Sequence, residues 1–175
     1  MESTIESCHM YEGKVVSLRV DRVALPSGGT ALREVVEHPG AVAIVAVDAS
    51  GNVLMVRQFR KAVERELMEI PAGTLEPNES PETCAARELR EETGYRAGQL
   101  EFLARFYSSP GFCDEELHIF LVKDLEADAP QPEDDEKLTL VRVPLEEALS
   151  MARDGRLPDS KSIIGLLLAE RSLNG

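Results

Sequence analysis

Between Gly73 and Tyr95 glycine, charge and hydrophobe recur at fixed places: Gly73, five residues, Glu79, seven residues, then Arg87-Glu88-Leu89-x-Glu91-Glu92-x-Gly94-Tyr95. Ser80 followed by Pro81 reads as an N-cap and a first helical residue, and Gly94 as a left-handed stop. Pro81 to Thr93 is therefore expected to form one short helix. On that helix Glu88, Glu91 and Glu92 stand at i, i+3 and i+4, which brings their carboxylates to a single face. Like charges so placed cost a few tenths of a kcal/mol per pair, and a hard divalent cation bound through oxygen relieves that cost. The cluster suggests magnesium or manganese. Arg87 can pair with Glu91 one turn on or reach back to Glu79, leaving Glu88 and Glu92 as the expected direct ligands. A solvated acidic face laced with salt bridges is the competing reading, and a bare Glu-x-x-Glu-Glu favours it.

The chain's 175 residues, 43% of them hydrophobic, suffice for one domain with a proper core. No run of about 18 apolar residues occurs, and Glu2 and Glu6 break the basic-then-apolar layout of a signal peptide, so a soluble, cytoplasmic protein is expected. Cys8, Cys84 and Cys113 have neither zinc-like nor C-x-x-C spacing and read as reduced thiols, with Cys84 packing on the helix. A net charge of -13 disfavours nucleic acid and anionic membranes as partners. Any phosphate-bearing ligand of such a chain would need positive charge gathered locally. Arg57 and Arg60, just upstream of the glutamate-rich run, are the leading candidates, because arginine binds phosphate oxygens in a bidentate manner.

Periodicity supplies the remaining elements. Val16, Leu18 and Val20 alternate with polar residues, Pro26 to Gly29 marks a turn, and Ala31 to Glu37 returns, which gives an N-terminal β-hairpin. Ala41 to Val47 reads as a central strand buried on both faces, followed by Val53 to Phe59. Glu69 to Gly73 ends a short apolar segment in a sharp turn. Further strands are expected at Leu100 to Tyr107, Leu117 to Lys123 and Leu138 to Val143, and helices at Leu145 to Asp154 and Ser160 to Ser172. Asp124 to Lys137, with seven acids, reads as a loop. Strands interspersed with helices imply an α/β (α+β) fold with a mixed sheet between helical layers.

The run from Gly73 to Tyr95 resembles the signature of the Nudix hydrolases. The resemblance implies the α/β/α sandwich of that fold, metal-dependent cleavage of a diphosphate linked to another moiety, and a metal site that adds the Ala72 carbonyl to Glu88 and Glu92. Glu91 would act in catalysis, binding metal directly or orienting its partners. Residues 1–38 would form an N-terminal extension and 39–175 the hydrolase domain.

Several segments are similar to the ADP-ribose pyrophosphatase branch: Glu69-Ile-Pro-Ala-Gly73, Val56-Arg-Gln-Phe-Arg60, the hairpin, and Pro110, about fifteen residues beyond Tyr95. That similarity implies hydrolysis of ADP-ribose to AMP and ribose 5-phosphate, with Arg57, Arg60, Glu69, Pro110, Gly111 and Phe112 around the substrate. It also implies a homodimer formed through the hairpin. The acidic loop before Leu138 would supply Glu136 as a further metal ligand and Asp134 as the water-activating base, with Asp135 or Glu133 able to substitute. The chain has no tryptophan, so any base stacking falls to Phe59, Phe106, Tyr107 or Phe112. The alternatives are a Nudix pyrophosphatase for GDP-mannose or NADH and a non-catalytic sensor of ADP-ribose.

Overall fold

The computed structural model describes residues 1–128 and 138–174. They fall into two compact units, Met1–Gly40 with Phe106–Leu117, and Ala41–Arg105 with His118–Gly175.

The first unit is built on an antiparallel sheet of β1 (Ser3–Glu12), β2 (Ser17–Ala24) and β3 (Thr30–Glu37), in that order. The expected hairpin is β2–β3, in register from Ser17 opposite Glu37 to Ala24 opposite Thr30. Its turn places Gly28 and Gly29 at φ 87° and 83°, a region that only glycine enters cheaply. β1 was not expected. Its ten residues are exposed on both faces, so they show no two-residue alternation of apolar and polar, and register shifts at Thr4/Glu6 and His9/Tyr11 break it further. Pairs from Arg22 to Glu6 and from Arg33 to Glu2 tie it down. On the other edge, the Val36 N–H donates to the Phe112 carbonyl (2.7 Å) and the Asp114 N–H to the Val36 carbonyl (3.1 Å), so the loop with Pro110, Gly111 and Phe112 runs along β3.

The second unit is an α/β/α sandwich around a mixed sheet of order β10-β5-β4-β9-β8. Its strands are β4 (Ala41–Val47), β5 (Asn52–Arg60), β6 (Arg65–Glu69), β7 (Ala72–Thr74), β8 (Tyr95–Tyr107), β9 (Glu116–Ala127) and β10 (Thr139–Pro144), with β6 on β5 and β7 on β4. The helices are α1 (Pro81–Thr93), α2 (Leu145–Asp154) and α3 (Ser160–Leu173). Strand parity explains the layering. Val42, Ile44 and Ala46 of β4 and Phe120 and Val122 of β9 pack with Cys84, Ala85 and Leu89 of α1. Val45 and Ile119, of opposite parity, lie against α3 at Gly165. None of the described helices is long and apolar enough to cross a membrane.

Two boundaries differ from expectation. β8 begins at Tyr95, directly after the glycine stop, and not at Leu100. β9 continues through Asp124 to Ala127, into the stretch that composition assigned to a loop. Gly98 accounts for the second difference: a side chain there would meet the Asp124 carbonyl at 2.5 Å, so glycine lets the two strands stay close while Asp124 turns to φ 57°.

Gly165 likewise lets α3 sit close on the sheet, since a Cβ at that position would lie 2.9 Å from Ile70 Cδ1 and 3.0 Å from Val45 Cγ2. Gly165→Val should lower the unfolding free energy in urea by about 1–3 kcal/mol; an unchanged midpoint would show that the layer can open without strain.

Candidate active site

Helix α1 is delimited as its sequence implies. The Ser80 hydroxyl accepts from the Thr83 N–H at 3.2 Å, and Gly94 takes φ 72° with its N–H on the Arg90 carbonyl at 2.9 Å. Facing it is the short strand β7, fixed in the sheet by antiparallel pairing of Ala72 with Ala43 and Thr74 with Ala41. The Pro71 carbonyl accepts from the Ile44 N–H at 2.8 Å, so the turn ahead of β7 is fastened to the central strand.

Arg87 organises the acidic face. Its Nε and Nη2 each donate to Glu79 at 2.9 Å, while Nη1 donates to Glu88 at 2.7 Å and to Glu91 at 3.0 Å. Both pairings open to Arg87 in the sequence are made at once, and Glu88 joins them. Among the described residues no group of three acid, histidine or cysteine side chains is close enough together to hold a metal ion.

Glu88 and Glu92 both reach β7. Glu92, 9% exposed, accepts from the Ala72 N–H at 3.2 Å. The Glu88 carboxylate lies so close over Gly73 that a Cβ there would sit 1.9 Å from it. Three glutamates thus surround one guanidinium, and a fourth, Glu92, meets the Ala72 backbone. This hard-oxygen, net negative donor set fits a divalent cation.

Charge pairing sets the local titrations. The hydrogen bonds from Arg87 pull the Glu79 carboxyl down to about 2, and the Arg87 guanidinium is raised in turn, chiefly by Glu79. Burial pushes the Cys84 thiol up to about 12, with Glu79 adding to the effect. That thiol points its weak donor at the Thr74 carbonyl (3.5 Å) and serves as packing.

A second charged group lies beside the first. Arg60, on β5, donates from Nε (2.9 Å) and Nη2 (2.7 Å) to Glu69, which is 1% exposed. Lys161, in the first turn of α3, also pairs with Glu69. Burial raises the Glu69 carboxyl, but Arg60 and Lys161 together outweigh it, and it stays below the ordinary carboxylate range. Arg60 is raised, first by its Glu69 bonds, and Glu92 and Asp159 are near enough to contribute. Arg57 is exposed on the same strand. β5 and β6 pair without a register shift, so Arg57 and Arg60, three residues apart, point to opposite faces.

A family model for the NUDIX domain matches residues 36–164. The chain belongs to the Nudix family. This Nudix chain is 45% identical over 163 residues to an ADP-ribose pyrophosphatase of Bacillus subtilis (strain 168), across 92% of this chain and 88% of that protein. It is 44% identical over 167 residues to a methanol dehydrogenase activator of Bacillus methanolicus, across 94% and 90%. A solved structure of an ADP compounds hydrolase superposes with a TM-score of 0.87 at 22% identity, covering 99% of this chain and 95% of that one, a likeness in fold. The protein is a Nudix hydrolase, and enzymes of this family use divalent metals.

Of the site residues expected from sequence, Glu88, Glu91, Glu92, Ala72, Arg60 and Glu69 lie in the second unit. There Arg87 links Glu88 with Glu91, Glu92 meets Ala72, and Arg60 meets Glu69. Pro110, Gly111 and Phe112 belong to the first unit. Asp134 and Glu136, with Glu133 and Asp135, lie outside the described residues. Lys161, Asp159 and Ser162 were missed. They follow the signature by some 65 residues and join Glu69 and Ile70 across a separation of 92, and no local spacing signals such a contact.

Two outcomes follow from this geometry. Glu79 is depressed on folding, so its contribution to stability is present above about pH 4.5 and is lost as pH falls toward about 2. Acid titration of unfolding should therefore flatten over that window in Glu79→Gln, and an unaltered profile would remove the Arg87 pair from the acid response. Gly73→Ala should push the Glu88 carboxylate off the β7 backbone, cutting turnover about 100-fold while the thermal midpoint barely moves. Turnover at the parental level would show that Glu88 does not work from this position.

Proposed function

We propose that this Nudix hydrolase cleaves the diphosphate of ADP-ribose to AMP and ribose 5-phosphate, with magnesium as its metal. The observation that carries the reading is the convergence of Glu88 and Glu92 on the Ala72–Gly73 backbone, one residue in contact with the Ala72 N–H and the other packed over Gly73. The B. subtilis relative supports the choice of substrate. Glu88, Glu92 and the Ala72 carbonyl would hold the metal, joined by Glu136. When bound, the ion supplies Lewis-acid polarisation of the diphosphate and neutralises charge on its oxygens. Arg87 keeps Glu88 and Glu91 apart from one another's charge and aims both at the same edge of α1.

Arg60, 39% exposed and gripped from behind by Glu69, holds the diphosphate from the β5 side. Arg57, on the opposite face, does not share that approach to the diphosphate. Pro110, Gly111 and Phe112 shape the nucleoside end, and Asp134 takes the proton from the attacking water. Water adds to phosphorus as the anhydride P–O bond breaks, and the leaving phosphate keeps the bridging oxygen.

Residues 1–38 act as an extension that joins two copies into a homodimer, and residues 39–175 carry the chemistry. Support comes from β1, exposed on both faces, and from Ile5, Met10, Tyr11 and Leu32, large apolar side chains left at the surface of that unit.

Incubation with ADP-ribose, GDP-mannose, NADH and diadenosine polyphosphates, with magnesium or chelator, should yield AMP and ribose 5-phosphate chiefly from ADP-ribose and only with metal. Cleavage of GDP-mannose or NADH instead would transfer the same chemistry to that substrate, and stoichiometric binding without product would favour a sensor. Glu92→Gln should reduce turnover about 100-fold or more in a folded protein. By light scattering the full chain should be a dimer and a chain beginning at Pro39 a monomer; a monomer in both would end the role given to the extension.

A further inference from the structure

Glu69 is 1% exposed, and burying a carboxylate at this depth requires that every oxygen be answered. Arg60 answers with two nitrogens from β5. The other partner comes from the start of α3, where Lys161 bridges Glu69 and Asp159, lying 3.0 Å from the Asp159 Oδ1. Asp159 is also the N-cap of α3: its Oδ2 accepts from the Ser162 N–H at 3.0 Å and from the Ser162 hydroxyl at 2.5 Å. The Ser162 oxygen in turn accepts from the Ile70 N–H at 2.9 Å. One helix start therefore grips residue 69 by its side chain and residue 70 by its backbone, two positions ahead of Ala72.

The charges balance, with Arg60 and Lys161 against Glu69 and Asp159. Exposure is uneven. The Glu69 side chain is 2% exposed and those of Lys161 and Asp159 are 14% each, while Arg60 reaches 39%. Only Arg60 offers itself broadly to solvent. Without the Lys161 charge, two acids would compete for one guanidinium, and Arg60 would be drawn inward to serve both.

We propose that Lys161, anchored by Asp159, is a positioning residue for the hydrolysis: by answering Glu69 from behind, it keeps Arg60 presented to the diphosphate. This rests on the assignment of Arg60 to the diphosphate.

The test is a double-mutant cycle on ADP-ribose hydrolysis at saturating magnesium, with ADP-ribose affinity measured by calorimetry in chelator as a second readout. Lys161→Met should lower kcat/KM by about 10- to 100-fold and weaken binding in parallel. Lys161→Arg should restore most of both. In the Arg60→Ala background Lys161→Met should cost nothing further, since its effect passes through Arg60. Asp159→Asn, which retains a good cap while loosening Lys161, should show the same dependence on Arg60 and carries the cycle if Lys161→Met does not fold.

Additive losses in the double variant would overturn the proposal by giving Lys161 an independent contact, as would parental kcat/KM in Lys161→Met. Parental kcat/KM in Arg60→Ala would instead overturn the assignment of Arg60 to substrate.

Discussion

Glu79, Glu88 and Glu91 can share one side of a thirteen-residue helix and the turn before it because a single guanidinium lies among them. Arg87 is that group, and its geometry is particular. Two of its nitrogens clasp Glu79 as a fork, and the third reaches Glu88 and Glu91. A lysine could supply the charge but not the planar set of donors that serves three acids at once. Glu79 belongs to the turn before the helix and Glu91 to its last turns, so the same residue fixes how the chain enters α1 and how the acidic face is spread. The Arg87 Nη2 also lies 3.3 Å from the Thr74 carbonyl, which joins the helix to β7.

The helix was legible to the residue, because each end carries its own local chemistry: Ser80 and Pro81 at one, Gly94 at the other. β4 was legible for a different reason, since seven apolar residues in a row have nowhere to go but between two layers. β1 was not, because a strand exposed on both faces leaves no mark on hydrophobic pattern. The far end of β9 was hidden by its acids, and the glycine that keeps it paired lies on a neighbouring strand. At the site the divide is similar. The i, i+3, i+4 spacing located the carboxylates, whereas Arg87 proved to take every partner in reach and not one of two. Arg57 and Arg60 looked alike in sequence, yet strand parity sends them to opposite faces. Lys161 and Asp159 carry no signal at all, because their relation to Glu69 exists only once the chain has folded back.

Net charge and site charge work against each other in this protein. A chain at -13 repels a diphosphate at long range, so attraction has to be local. Arg60 illustrates how that is arranged. Glu69 holds it in place, and Lys161 offsets part of the negative charge that Glu69 would otherwise project toward the same phosphate.

The grip of α3 on residues 69 and 70 bears on how far this chemistry can be treated as a module. Residues 73–95 look self-contained on paper, with their own cap, stop and acids. Yet the backbone against which their carboxylates rest is held from the far end of the chain, by the Ser162 hydroxyl on Ile70. A transplant of that stretch onto another scaffold would carry the ligands without the anvil they press on, so the unit of inheritance here is the sandwich and not the motif.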